Sequence, residues 1–245
     1  MVKKVTLLML ALVLLAYILF TVFVLNPNAK DMVCKNLEVV VVDTLDRHFV
    51  SSHDIATMLN NAGINPVGKN LKEINTETIE AKLRGNELIK RVECYKTMGG
   101  NVRIEVHQKI PILRIISSNE NYYIDSEGKI MPVPKNFAAY VPIVTGFVSK
   151  DFAKTKLYDF ALFLQNNKFW NTQIEQIHVA PNQDVELIPR VGNHQIILGK
   201  LDDYKENLEK LLLFYDKGLN VVGWNNYTII NLKFKNQVVC TKKDQ

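Results

Sequence analysis

The chain has 245 residues, with 30 Lys and Arg against 25 Asp and Glu and a formal net charge of +5. Removing Lys3 and Lys4 from the 30 leaves 28 against 25, an excess too small and too dispersed for a nucleic-acid footprint, which is a clustered basic face. The cysteines, Cys34, Cys94 and Cys240, are odd in number and far apart, which argues against a disulfide-stapled scaffold and a metal knuckle alike.

Val5 to Leu25 runs without a charge, glycine or proline. As a helix it spans about 31 Å, the thickness of a bilayer core, so it reads as a transmembrane helix over 5–25. The run exceeds a leader's apolar region and ends in bulky Val22-Phe23-Val24-Leu25, so an anchor is preferred to a cleaved signal peptide. Lys3 and Lys4 predict a cytoplasmic tail at 1–4, with the rest of the chain on the far side. Asn26-Pro27-Asn28-Ala29-Lys30-Asp31 reads as part of a linker over 26–35.

Leu37 to Val42 is a β-branched run typical of a buried strand. Ser51 and Asp54 have the spacing of a capping box, opening a helix with Ile55, Met58, Leu59 and Ala62 on one face and Gly63 at its end. A second short helix starts at Asn75 or Thr76, carries Ile79 and Leu83, and stops at Gly85. Strands follow at Leu88 to Lys96 and Asn101 to Val106, giving a strand-helix-helix-strand-strand unit. Beyond Pro111, strands are predicted at Leu113 to Ser117, Tyr122 to Ile124 and Lys129 to Met131. Asp125-Ser126-Glu127-Gly128 suits a type I turn closed at positive φ. Helices are predicted over Ala153 to Asn166 and from Asp202 or Asp203 to Lys217, the second stopped by Gly218, with strands at Val185 to Ile188 and Gln195 to Leu198 between them.

Little here carries chemistry. Gly63 to Asn70 resembles a phosphate-binding loop, but Asn70 stands where magnesium needs a hydroxyl, and a helix precedes the loop. Neighbours in one helical turn, as in Ser51-Ser52-His53-Asp54, cannot build a triad. His48, His53, His107, His178 and His194 lack ligand spacing, so no metal, cofactor or catalytic residue is expected. Asn226-Tyr227-Thr228 is a glycosylation sequon, meaningful only in a eukaryotic secretory lumen.

The last strand, Tyr227 to Cys240, stands out. Ile230, Leu232, Phe234 and Val238 alternate with Asn231, Lys233, Lys235 and Gln237 over an unusual length for a strand. Such a terminal edge suits a partner strand, or is an ordinary edge whose lysines discourage aggregation.

The element order, and several stretches within it, resemble the FtsQ/DivIB family of bacterial cell-division proteins. These are Val102-Arg103-Ile104-Glu105-Val106 before Lys109-Ile110-Pro111; Tyr122-Tyr123-Ile124-Asp125 with Gly128 and Met131-Pro132; Val141-Pro142-Ile143-Val144-Thr145-Gly146; and Ile230-Asn231-Leu232-Lys233-Phe234-Lys235. The resemblance implies an α+β fold class: a single N-terminal transmembrane helix, a POTRA-like βααββ domain at 36–108, and a mostly antiparallel β domain at 109–240 with helices packed on it, closed by a tail at 241–245. It implies a non-enzymatic scaffold of the divisome in the inner membrane, N-terminus cytoplasmic, folded domains periplasmic, enriched at the septum. The expected partners are FtsB and FtsL, with FtsW, FtsI and FtsK-type division proteins as further contacts, membrane lipid around the span, and no nucleic acid. FtsB adds a strand in this family, so the carried-over edge is Leu232, Lys233, Phe234, Lys235, Asn236, Gln237, Val238 and Val239, with Phe234 and Val238 as anchors. The four-residue tail is shorter than is usual in the family, so no cytoplasmic contact is carried over. The competing readings are a membrane-anchored periplasmic cell-wall enzyme, a sensor ectodomain, and a POTRA-bearing translocation component.

Overall fold

The computed structural model describes residues 2–24, 32–42, 49–117, 120–134 and 137–243; within 2–24 it describes side chains only at 6, 9, 10 and 12–21. Helix α1 runs Val2–Val24. Its longest unbroken stretch with described side chains is Leu12–Thr21, about 15 Å of helix. A bilayer core of about 30 Å needs about twice that. Among the described residues, no helix is long and apolar enough to cross a membrane. The expectation of a transmembrane helix over 5–25 is corrected on that finding. Residues 26–31 of the expected linker lie outside the described residues. Its remainder is part of a folded unit, because the Cys34 N–H donates to Lys69 O and the Lys35 N–H to Gly100 O, each at 2.9 Å.

The chain divides into two compact units, one taking in Ser51–Gly85 and Arg91–Val106 and the other His107 onward. The first unit is built on a three-stranded sheet of β1 (Leu37–Val41), β3 (Val102–Gln108) and β2 (Ile89–Lys96), in that order, with β1 parallel to β3. Helix α2 (Ser52–Asn61) opens with the expected capping box, Ser51 and Asp54 each bonding the other's main chain. The Ser51 hydroxyl, donating to the Asp54 carboxylate, and then the Ser51 N–H hold the Asp54 pKa below the usual carboxylate value. Helix α3 (Thr76–Arg84) is capped by Asn75. Ile55 and Leu59 from α2, and Ile79 and Leu83 from α3, are buried with Val102, Ile104 and Val106. Each such burial stabilises by about 1.5–3 kcal/mol.

The second unit carries a nine-stranded sheet. Its strands are β4 (Pro111–Ile116), β5 (Asn121–Asp125), β6 (Ile130–Pro132), β7 (Ile143–Gly146), β8 (Ile174–Val179), β9 (Val185–Pro189), β10 (Gln195–Gly199), β11 (Tyr227–Asn231) and β12 (Val239–Lys242). Their spatial order is β12-β11-β10-β9-β8-β7-β4-β5-β6. The β4–β7, β7–β8 and β10–β11 pairs are parallel, and the other neighbours are antiparallel. The turn between β5 and β6 forms as expected: Asp125 Oδ1 accepts from the Glu127 and Lys129 N–H groups, and Gly128 has φ +73°.

One face of this sheet is covered by α5 (Lys156–Asn166) over β4, α6 (Lys168–Gln173) beside β8 and α7 (Tyr204–Phe214) over β10. A short helix, α4 (Lys150–Lys154), precedes α5; Thr155, at φ −114° and ψ −94°, breaks what the sequence reads as one helix. The stop expected at Gly218 is also corrected. Beyond α7 the helix widens into a π turn, Tyr215–Leu219, and continues as α8 (Asn220–Val222) to Gly223. The wider turn allows Tyr215 and Leu219, four apart, both to be buried in line with Leu208 and Leu211.

At the end of β7 the backbone approaches β8 too closely for any side chain. Gly146 has φ +94°, and a Cβ there would meet Val179 O at 2.2 Å. Gly146→Ala is expected to lose about 3 kcal/mol or more of stability, read as a lower urea midpoint at unchanged slope.

Candidate functional site

The sequence-derived phosphate-loop and triad motifs resolve into local structure. In the loop after α2, the Gly68 N–H donates to Cys34 O, the Lys69 N–H to Pro66 O and the Val67 N–H to Asn65 Oδ1. Those donors therefore face acceptors of the chain itself. The Ser51 hydroxyl sits 2.7 Å from Asp54 Oδ2 as part of the helix cap. Burial raises the Cys94 thiol to about 12, so it stays protonated. Among the described residues no cluster of His, Cys, Asp and Glu could hold a metal ion.

The terminal segment departs most from its sequence reading. Tyr227 to Cys240 is two strands, not one: β11 and β12 pair as an antiparallel hairpin, with Asn231 opposite Val239 and Ile230 opposite Cys240. The connection turns at Lys235 and Asn236, the latter at φ +60°. Of the eight residues expected to form a partner edge, only Val239 lies in the edge strand. Leu232 is fully buried and prolongs β11, its N–H donating to Ile197 O at 2.9 Å. Lys233, Phe234, Lys235, Asn236 and Gln237 are exposed in the turn, and Val238 packs partly against the core.

The open edge is therefore β12. The bond from Leu232 to Ile197 shows that the even-numbered main-chain groups of β11 face β10. Its odd-numbered groups face β12, where Ile229 pairs with Thr241 and Asn231 with Val239. In an antiparallel ladder the intervening residue points its main chain the other way, so the N–H and C=O of Cys240 face off the sheet. Its thiol turns back toward the core, where burial raises its pKa.

Beside this edge lies a groove of about 570 Å³. One wall is the outer face of α7 and the π turn: Glu206, Lys210, Leu213, Phe214, Lys217 and Gly218. The other is Asn236, Gln237 and Val238 of the hairpin. Lys210 joins the two walls, its Nζ donating to Leu232 O at 3.1 Å and Phe234 O at 3.0 Å. On the opposite side of the hairpin, Lys233 Nζ reaches Asp184 Oδ2 at 2.7 Å, which with Asn182 and Lys200 holds the Asp184 pKa below the ordinary carboxylate value. The turn is thus tied down on both flanks. Sequence reasoning missed this groove, although Leu211-Leu212-Leu213-Phe214 carried a signal. Four consecutive apolar positions cannot share one helical face, and Leu213 is 62% exposed.

A family model described as FtsQ/DivIB, C-terminal related, matches residues 110–241, over half of the chain. The chain belongs to this family of bacterial cell-division proteins. A POTRA-like domain model matches residues 32–107. Among solved structures, the chain is similar to the major extracytoplasmic domain of the trans isomer of the bacterial cell division protein DivIB from Geobacillus stearothermophilus. The identity is 12% over 41% of this chain and 86% of that chain, with a TM-score of 0.32. No curated protein matches. The FtsQ/DivIB-related match runs from Ile110 to Thr241 in β12, so the groove and all of the edge strand but Lys242 belong to the part of the chain that carries the family signal.

Lys210 is the tie between helix and hairpin. Lys210→Met keeps the stem but removes both bonds, and is expected to lower stability by about 1–2 kcal/mol in urea unfolding. Amide exchange at residues 233–238 should quicken more than in β11.

Proposed function

We propose that this FtsQ/DivIB-family protein is a non-enzymatic scaffold of the bacterial divisome, and that its second unit binds a partner by accepting a strand along β12. The observation that carries this reading is the contrast between the two ends of the nine-stranded sheet. One end is β6, closed by Pro132, whose missing N–H blunts an edge. The other is β12, free of proline, with the Cys240 main chain facing outward and an apolar groove alongside. Main-chain bonds along the edge supply affinity, and the groove offers a place for apolar side chains of the partner. Lys217 and Glu206 at its ends favour a partner segment with charges of both signs.

The family supplies the identity of that partner: the FtsB and FtsL pair, FtsB contributing the strand. FtsW, FtsI and FtsK-type division proteins are further contacts in the same reading, and recruitment of septal wall synthesis is the outcome. The proposed location is the outer side of the plasma membrane at the septum. Family membership supports that location and the absence of catalysis. Phe234, 45% exposed at the mouth of the turn, keeps the role of a side-chain anchor, while Leu232 supports the hairpin from within the core.

Proline at Cys240 removes an outward donor and leaves the bonds from Val239 and Thr241 to β11 in place. Cys240→Pro with native circular dichroism should bind the FtsB–FtsL pair at least about tenfold more weakly. Full-strength binding by the folded variant refutes the β12 edge. Proline at Lys235 falls in the turn, and binding should be unchanged.

A further inference from the structure

Behind the groove stands a buried histidine that the scaffold reading does not use. His194, just before β10, is 3% exposed. Its Nε2 lies 2.8 Å from the Tyr215 hydroxyl, and its Nδ1 has no hydrogen-bond partner. The ring stands edge-on to Tyr215, centroids 5.6 Å apart, and tilted against Trp224 at 6.4 Å. Tyr215 in turn packs on Trp224 at 4.8 Å and Trp170 at 6.3 Å. A Cβ at Gly192 would come within 2.6 Å of the imidazole, so the loop fits that ring closely.

Tyr215 is the first residue of the π turn, and the groove-lining Phe214, Lys217 and Gly218 lie within three residues of it. The Tyr215 side chain therefore fixes the backbone from which one wall of the groove projects. A π turn is a rare insertion in a helix, held by the packing around it. Here that packing is the aromatic cluster closed by His194.

The groups facing His194 come from three directions. The π turn presents Tyr215, the segment after α8 presents the ring and main chain of Trp224, and its own loop presents Gly192. Helix α6 adds Trp170 and Gln173 around Tyr215. Among the described residues none of these carries a charge at neutral pH, since burial raises the Tyr215 phenol. A proton on His194 would place a cation in this cluster, with the Trp224 main chain placed too weakly to offset the cost of burial.

We propose that the His194–Tyr215 pair is an acid-sensitive latch on the groove: neutral, it holds the π turn and the partner site in shape; protonated, it releases them. The proposal rests on the reading of β12 and its groove as the partner site. Burial lowers the His194 pKa, and the Trp224 main chain offsets this only in part. The unfolded chain then takes up the proton more readily than the folded one. The latch's contribution is whole above the ordinary histidine value of 6.5 and is lost as pH falls below it, through the folded value.

Trp170 and Trp224 are the chain's two tryptophans, and both border Tyr215, so intrinsic fluorescence reports on the cluster directly. The full chain is titrated from about pH 7.5 to about pH 5. The expected result is a red shift of emission with its midpoint below 6.5, and about tenfold weaker binding of the FtsB–FtsL pair over the same range. His194→Gln retains a partner for Tyr215 but does not titrate, and should show a flat profile in both measurements. An unshifted wild-type emission, or the same step in His194→Gln, overturns the latch. If His194→Gln does not fold, NMR of the wild-type histidine and tryptophan rings decides: the Trp224 signals must move with the His194 titration, and independent movement overturns the latch. Absence of binding at pH 7.5 refutes the partner-site reading alone, and the emission step still tests the latch.

Discussion

A single transverse row of side chains holds the second unit together. Pro132, Tyr122, Ile115, Val144, Ile177, Leu187, Ile196, Ile230 and Cys240 are successive register partners across all nine strands. The six from Ile115 to Ile230 are fully buried beneath the helices. Because side chains alternate with a period of two, a slip of one residue at any pair would turn that strand's members of the row to the opposite face. Register is therefore specified at every step from β6 to β12. The terminal hairpin inherits its position from this row, since Ile230 and Cys240 are its last members. An edge placed by the eight other strands of the sheet is a firm platform, whereas a bare strand outside a sheet would fray.

What was legible in the sequence follows from how local each cause is. The Ser51–Asp54 capping box, the Asn75 cap and the Asp125–Gly128 turn are determined by residues within four positions of each other, and all form as read. The terminal hairpin was not legible, because its turn uses neither glycine nor proline. Asn236 adopts a left-handed backbone, and the polar-apolar alternation continues through the turn as if the strand did. Strand β8, Ile-Glu-Gln-Ile-His-Val, does not strictly alternate at its start, and a register shift between Ile174 and Gln176 is the structural counterpart of that irregularity. The π turn was missed for a related reason. Gly218 carries the local signal for a helix stop, but burial of Tyr215 and Leu219 on the far side of the chain overrides it. The groove was half visible, in an apolar run too long for one helical face.

Edge strands are hazardous, and the two ends of this sheet meet the hazard differently. At β6 the strand ends in proline, which has no main-chain donor to offer. At β12 the protection is electrostatic and mild: Lys242 lies in the strand and Lys233 and Lys235 stand in the preceding turn. Lysines discourage indiscriminate edge pairing without removing the donors and acceptors that a chosen partner needs. Specificity must then come from somewhere else than the ladder, because main-chain bonds are the same for every strand. In the proposed mode the α7 groove would meet that need, as its shape is set by Leu213, Phe214 and Val238 and by the tie through Lys210. Edge and groove are separate surfaces that share the terminal hairpin, the groove's other wall being α7 and the π turn. In the proposed binding mode a partner must satisfy both, which would let an exposed sheet edge stay open in solution and still be selective.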